Sequence, residues 1–278
     1  MKDIVVGMDA SDGAAAALRW AVEEGALHGW SVRAVMVWSR FDQHHLDDAF
    51  DPVYDQAAAD KVLHDAVVAA IGEEKAAEVE QVAVDGYPTK ALIEEADDAR
   101  LLVVGARGGG PLTALLIGSV SDQVLHHATS PVAVVRERPG GERHGRIVVG
   151  VDGSERAQGA VQWAIAEARL RGATLEVVHA WQLPVATGLY AGTPIYPSGA
   201  EELARQVLDE AIEQEDTDGV AVERHLACAP ASRALLVAAE RADLVVVGSR
   251  GLGGFKGLLL GSVSRQLAHH ATCPVVVT

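Results

Sequence analysis

Asparagine is absent from this chain of 278 residues, aromatic residues make up only 4%, and there are two cysteines, Cys228 and Cys273. Two cysteines without a repeated spacing give neither a disulfide framework nor a zinc site, as expected of a reducing compartment. No apolar run approaches the roughly 20 residues of a membrane span. The opening Met1-Lys2-Asp3-Ile4-Val5-Val6-Gly7 passes straight into a strand pattern without a signal-peptide layout. Basic residues are also scarce: 23 against 39 acidic ones leave a net charge of −16. That opposes non-specific binding to nucleic acid or anionic membranes, which draws on clustered Lys and Arg. The expectation is a cytoplasmic protein with no nucleic-acid partner and no membrane partner.

What the chain does contain, it contains twice. Val103-Val104-Gly105-Ala106-Arg107-Gly108 is followed after nine residues by Gly118-Ser119-Val120-Ser121. A constant offset of 143 positions carries this onto Val246-Val247-Gly248-Ser249-Arg250-Gly251, nine residues, and Gly261-Ser262-Val263-Ser264. The same offset relates Ile4–Ser11 to Ile147–Ser154, Trp20 to Trp163, Trp38 to Trp181, and His126-His127 to His269-His270. Solenoid repeats run about 20–50 residues, so this one is a duplicated domain. The expected domains are residues 1–138 and 144–278, joined by the polar, Pro- and Gly-containing stretch Arg136–Gly145.

Each copy alternates apolar strand runs with helical periodicity. In the first, strands are expected at Asp3–Met8, Val32–Trp38, Glu78–Val84, Leu101–Gly105 and Pro131–Val135. Helices are expected at about Ala14–His28, Asp55–Ile71, Pro88–Ala99 and Ser119–His127. The second copy repeats the order from Arg146–Val151 to Pro274–Thr278. Such alternation predicts an α/β fold with a parallel sheet covered on both faces. The copies diverge most at Ser39–Tyr54 and Gln182–Ser198, long segments that suggest two differently covered sites.

The glycine segments have two readings, helix capping and turn formation, or an anion cradle. In the second reading Gly105 and Gly108 let a ligand approach the backbone after a buried strand. Gly118-Ser119 then opens a helix whose unpaired N–H groups suit phosphate, with Ser119 and Ser121 as added hydroxyl donors. A Walker P-loop is excluded because no Lys follows a Gly, and Gly105–Gly110 does not fit Gly-x-Gly-x-x-Gly. Asp9 and Asp152, just past the first strand of each copy, read either as turn or N-cap residues or as acceptors for sugar hydroxyls. The histidine pairs His126/His127 and His269/His270 suit helix C-termini better than a shared metal. His44, His45, Asp47 and Asp48 lack ligand periodicity and read as a solvated loop. No metal site and no catalytic residue is expected.

These motifs resemble the universal stress protein family in its tandem, ATP-binding form, over essentially the whole chain. The most specific element is Gly-x2-Gly-x9-Gly-Ser, present in both halves. The resemblance implies two doubly wound five-stranded parallel sheets of order 3-2-1-4-5. It implies ATP in each half, with any Mg²⁺ relying mainly on phosphate and water. Asp9 and Gly105 would contact ribose, Val37 would meet adenine through its backbone, and Arg107, Gly108, Gly118, Ser119, Val120 and Ser121 would surround the phosphates. The second-half counterparts are Asp152 and Gly248, Ala180, and Arg250, Gly251, Gly261, Ser262, Val263 and Ser264. One departure is that Gly86-Tyr87-Pro88 in the first half becomes Ala229-Pro230-Ala231 in the second. The uncharged fifth strands, with the family's habit of dimerising there, imply an intramolecular pseudo-dimer and further association as a homodimer. The implied function is a nucleotide-dependent stress sensor or regulator; a slow ATP hydrolase is the alternative.

Overall fold

The computed structural model describes residues 3–39, 55–107, 117–136, 143–182, 199–251 and 260–278. The chain divides into two units, Met1–Glu137 and Arg138–Thr278. The first runs β1 (Ile4–Met8), α1 (Asp12–His28), β2 (Val32–Trp38), α2 (Gln56–Ile71), α3 (Glu73–Ala76), β3 (Glu80–Asp85), α4 (Pro88–Glu95), β4 (Leu101–Gly105), α5 (Ser119–His127) and β5 (Val132–Val135). Its strands are parallel and ordered β3-β2-β1-β4-β5.

The physical reason lies in the side chains. Leu101–Gly105 and Val132–Val135 are buried along their whole length. A strand covered on both faces has no need of polar alternation. β3, last in the order, is half exposed and carries Glu80, Gln81 and Asp85, the charged character that discourages edge pairing. Successive side chains of a strand point to opposite faces. On β1 the Gly7 position faces Leu92 of α4, so the buried Ile4, Val6 and Met8 turn the other way, and α1 packs on β1 and β4.

The second unit repeats the plan with β6 (Arg146–Val151), α6 (Glu155–Arg171), β7 (Thr174–Trp181), α7 (Ala200–Glu213), β8 (Val222–Cys228), α8 (Ala231–Ala239), β9 (Leu244–Val247), α9 (Ser262–His270) and β10 (Val275–Val277). The order is β8-β7-β6-β9-β10, again parallel. The fold is therefore α/β with parallel strands, as the alternating pattern leads one to expect. In each unit the strand order reverses beside the first strand, between β1 and β4 and between β6 and β9. That opens a crevice at the strands' C-terminal ends.

Local differences from the expected elements have local causes. The helix expected from Asp55 begins at Gln56, because Asp55 is its N-cap and accepts from the Ala58 N–H at 3.0 Å. Gly72, at φ 82°, ends that helix, and Glu73–Ala76 restarts as the unforeseen α3. α4 stops at Glu95, short of Ala99, where the Ala96 N–H is shared between the Leu92 and Ile93 carbonyls and a turn takes over. The two divergent segments lie almost wholly outside the described residues, and His44, His45, Asp47 and Asp48 lie outside them entirely.

Candidate functional site

The turn after the first strand of each unit is built alike. The Ser11 N–H and hydroxyl both donate to Asp9 Oδ1, at 3.1 and 2.5 Å. Ser154 donates in the same way to Asp152 Oδ1, at 3.1 and 2.6 Å. Each hydroxyl oxygen also accepts from the first turn of its helix, Ala14 N–H or Ala157 N–H, at 3.2 Å. The serine, not the aspartate, is thus the N-cap, and the carboxylate stays at the strand's C-terminal end. The residue between them must be left-handed: Ala10 at φ 59° in the first unit, Gly153 at φ 82° in the second.

The glycine segments form the opposing wall. The Ala106 N–H donates to the Val135 carbonyl and the Gly118 N–H to the Ala106 carbonyl, both at 2.8 Å. The chain therefore leaves β4 and returns to it at one residue. In the second unit Ser249 does the same, donating to Thr278 O at 2.8 Å and accepting from the Gly261 N–H at 2.7 Å. Gly118 and Gly261 are extended N-caps that give α5 and α9 no side-chain cap. The first-turn N–H groups, on Ser119, Val120 and Ser121 and on Ser262, Val263 and Ser264, are the kind that bind anions at a helix N-terminus. Ser121 and Ser264 depart from the expected role of hydroxyl donors. Each hydroxyl donates to its own strand end, Gly105 O or Gly248 O, at 2.7 Å, and is buried. They tie the helix to the strand; Ser119 and Ser262 hold the exposed hydroxyls.

The glycines themselves answer mainly to packing. A Cβ on Gly105 would stand 2.6 Å from the carbonyl carbon and oxygen of Gly13, in the first turn of α1. On Gly248 it would stand 3.0 Å from the same atoms of Arg156. A Cβ on Gly251 would fall 2.1 Å from Asp152 Oδ2, so the missing side chain lets the loop lie against the carboxylate. Gly108, its counterpart, is outside the described residues.

In the second unit these pieces enclose a cavity of about 460 Å³, within the usual range for a small-molecule site. Asp152, Ala180, Gly248, Arg250, Gly251, Gly261, Ser262, Val263 and Ser264, the whole expected set, line it. Sequence reasoning missed part of its apolar lining, Val178 of β7 with Ala231 and Leu235 of α8. The i, i+4 spacing of the last two on a helix opposite β7 is the signal that could have found them. In the first unit Asp9, Val37, Gly105, Arg107 and the first turn of α5 occupy the corresponding strand and helix ends. There the Ser11 hydroxyl lies 3.5 Å from the Arg107 carbonyl, bringing loop and turn together.

Positive charge gathers on the loop side. Burial, and then the neighbouring Arg107, hold the Arg136 guanidinium below its ordinary pKa. In the second unit Arg156 Nη1 donates to Ser249 Oγ at 2.6 Å, tying the glycine loop to α6. The histidine pairs take no part: His126 Nδ1 donates to the Asp122 carbonyl at 2.7 Å, and both pairs sit in the last turns of α5 and α9. Among the described residues, no helix is long and apolar enough to cross a membrane.

The family model for the universal stress protein family matches residues 1–136 and again 144–278. A universal stress protein of Mycolicibacterium smegmatis is 35% identical over 294 residues, covering 99% of this chain and 96% of that protein. Universal stress protein Rv2623 of Mycobacterium tuberculosis is 33% identical over 301 residues, covering 99% of this chain and 95% of its own. Among solved structures, a universal stress protein from Archaeoglobus fulgidus shares the fold at a TM-score of 0.71 and 21% identity, covering 99% of this chain and 97% of that one. With the family model matched twice and relatives alike from end to end, this chain belongs to the universal stress protein family.

Proposed function

We propose that each unit binds ATP at the C-terminal ends of its strands, and that the protein is a cytoplasmic, nucleotide-dependent stress-response regulator. The observation that carries this is the set of chemistries gathered in the lining of the second unit's cavity. Val178 of β7 and Ala231 and Leu235 of α8, elements that pack together, give it aliphatic lining. The Asp152 carboxylate lines the wall, with Arg250 and the uncapped start of α9 beside it. That combination suits a base, a sugar and a chain of phosphates. An apolar lining welcomes a flat base, a carboxylate accepts from hydroxyls, and unpaired N–H groups at a helix start neutralise anionic oxygens.

In this reading the base lies by Ala180, or by Val37 in the first unit. The ribose meets Asp152 or Asp9. The phosphates lie over Gly261–Ser264 with Arg250 and Gly251, or over Gly118–Ser121 with Arg107 and Gly108. Any Mg²⁺ is carried on phosphate and water. The bound nucleotide serves as the signal.

Purified protein should release adenine nucleotide when denatured, identified by chromatography. Titration calorimetry on emptied protein should show ATP binding at up to two sites per chain. If no nucleotide is released and ATP does not bind at millimolar concentration, this reading is refuted. Single-turnover hydrolysis measured on the same sample separates a regulator from a slow hydrolase.

A further inference from the structure

The N-cap serine does more than begin a helix. Ser154 engages one oxygen of Asp152 twice, through its N–H at 3.1 Å and its hydroxyl at 2.6 Å. The hydroxyl oxygen meanwhile accepts from the Ala157 N–H at 3.2 Å. With its acceptor side turned to the helix, the hydroxyl has its proton aimed at the carboxylate. Two bonds to Oδ1 fix the plane of the carboxyl group. Oδ2 is left on the side of Gly251, and the residue lines the cavity. The first unit repeats the three hydrogen bonds with Ser11, Asp9 and Ala14, and there the Ser11 hydroxyl also lies 3.5 Å from the Arg107 carbonyl.

Capping alone does not call for serine, since aspartate caps as well. At this position aspartate would set a second negative charge against Asp152. A hydroxyl satisfies both demands, accepting from the helix and donating to the carboxylate.

We propose that Ser154 and Ser11 are positioning residues for sugar recognition. They hold Asp152 and Asp9 in the orientation that receives a ribose hydroxyl, and so give the sites their preference for ribonucleotides over deoxyribonucleotides. This rests on the nucleotide reading of the same site.

The test compares ATP with 2′-deoxy-ATP and 3′-deoxy-ATP by calorimetry. The proteins are the wild type, the Ser11→Gly/Ser154→Gly double variant and the Ser11→Thr/Ser154→Thr double variant. Glycine caps a helix almost as well as serine, so loss of the helix does not mimic loss of the hydroxyl. Wild type should prefer ATP. In the glycine variant ATP affinity should fall about tenfold, the scale of one hydrogen bond to a charged group. Affinity for whichever deoxy form lacks the recognised hydroxyl should change less than about twofold, and threonine should restore the preference. Should the double glycine variant fail to fold, Ser154→Gly alone is read as loss of preference at one of two sites.

A glycine variant that keeps the wild-type preference overturns the inference and leaves the nucleotide site standing. A wild type that binds ATP and both deoxy forms equally removes the sugar role of the aspartates, and the inference with it. A wild type that binds none of them overturns the reading of the site itself.

Discussion

Gly251 offers the sharpest test of how the second site is put together. A Cβ there would lie 2.1 Å from Asp152 Oδ2, whereas ordinary contact begins near 3.4 Å, so carboxylate or loop must retreat by about 1.3 Å. The backbone at Gly251 is not left-handed and the residue is exposed, so alanine brings no φ strain of its own. The carboxylate is the part that can move, but moving it strains both bonds from Ser154. Gly251→Ala should therefore act on the ligand through Asp152. Losing one hydrogen bond between a charged group and the ligand costs about 1.5–3 kcal/mol, or roughly ten- to a hundredfold in affinity. Asp152→Ala should lose about as much. The two changes should not add, because once the carboxylate is gone the new methyl has nothing to displace. A double-mutant cycle by calorimetry should then return a coupling energy of about 1.5–3 kcal/mol, the whole effect of either change. If Gly251→Ala costs as much in the Asp152→Ala background as in wild type, the glycine acts on the ligand directly and the packing argument fails.

The left-handed turn position yields a reciprocal pair. A non-glycine residue there costs about 1–2 kcal/mol, offset by the roughly 0.4–1 kcal/mol that glycine loses through unfolded-chain entropy. Ala10→Gly should stabilise the first unit, and Gly153→Ala should destabilise the second, each by about 0.5–1 kcal/mol in urea denaturation. Equal or reversed signs would show that the turn carries no strain. The acid limb supplies another prediction. The hydrogen bond from Arg146, then its charge, hold the Glu223 carboxyl below its ordinary pKa. A carboxyl lowered by folding stabilises above its unfolded value, about 4.3, and that contribution disappears as pH falls through the lower folded value. The stability advantage of wild type over Glu223→Gln should therefore shrink below about pH 4.3. An advantage unchanged down to pH 3 would show that the pair does not couple to folding.

The sequence was most legible where one physical demand acts on a run of residues. The Val-rich strands read directly, because burial on both faces leaves little room for anything but aliphatic side chains. The site was legible as a set of positions but less so as a set of reasons. Gly105 was expected to let a ligand approach the backbone, yet the atoms a side chain there would meet belong to the first turn of α1. Ser121 was expected to offer its hydroxyl outward, yet it donates to Gly105. In both cases the residue type marks a close approach without saying what approaches. The apolar lining of the cavity escaped notice for the opposite reason. Ala231 and Leu235 look like any buried helix face until α8 is placed beside β7.

Comparison of the two copies separates what the site demands from what the fold merely tolerates. At equivalent positions Asp3 becomes Arg146 and Arg33 becomes Glu176, so the arginine that pairs with the third strand's glutamate, Glu80 or Glu223, moves from β2 to β6. Arg33 bonds Glu80 and Glu95 at 2.8 and 3.0 Å, whereas Arg146 bonds Glu176 and Glu223 at 3.1 and 2.5 Å. A salt bridge works equally well in either polarity, and nothing in the cavity depends on which strand holds the cation. Gly13 likewise gives way to Arg156, because the strand end needs only the backbone of that residue to come close. The aspartate and serine of the turn admit no such exchange. On the proposed reading, a carboxylate that accepts from a sugar cannot be replaced by a cation, and a cap that donates to that carboxylate cannot itself be acidic. The matching hydrogen bonds around Asp9 and Asp152 are therefore the geometry that the proposed nucleotide site requires of both copies.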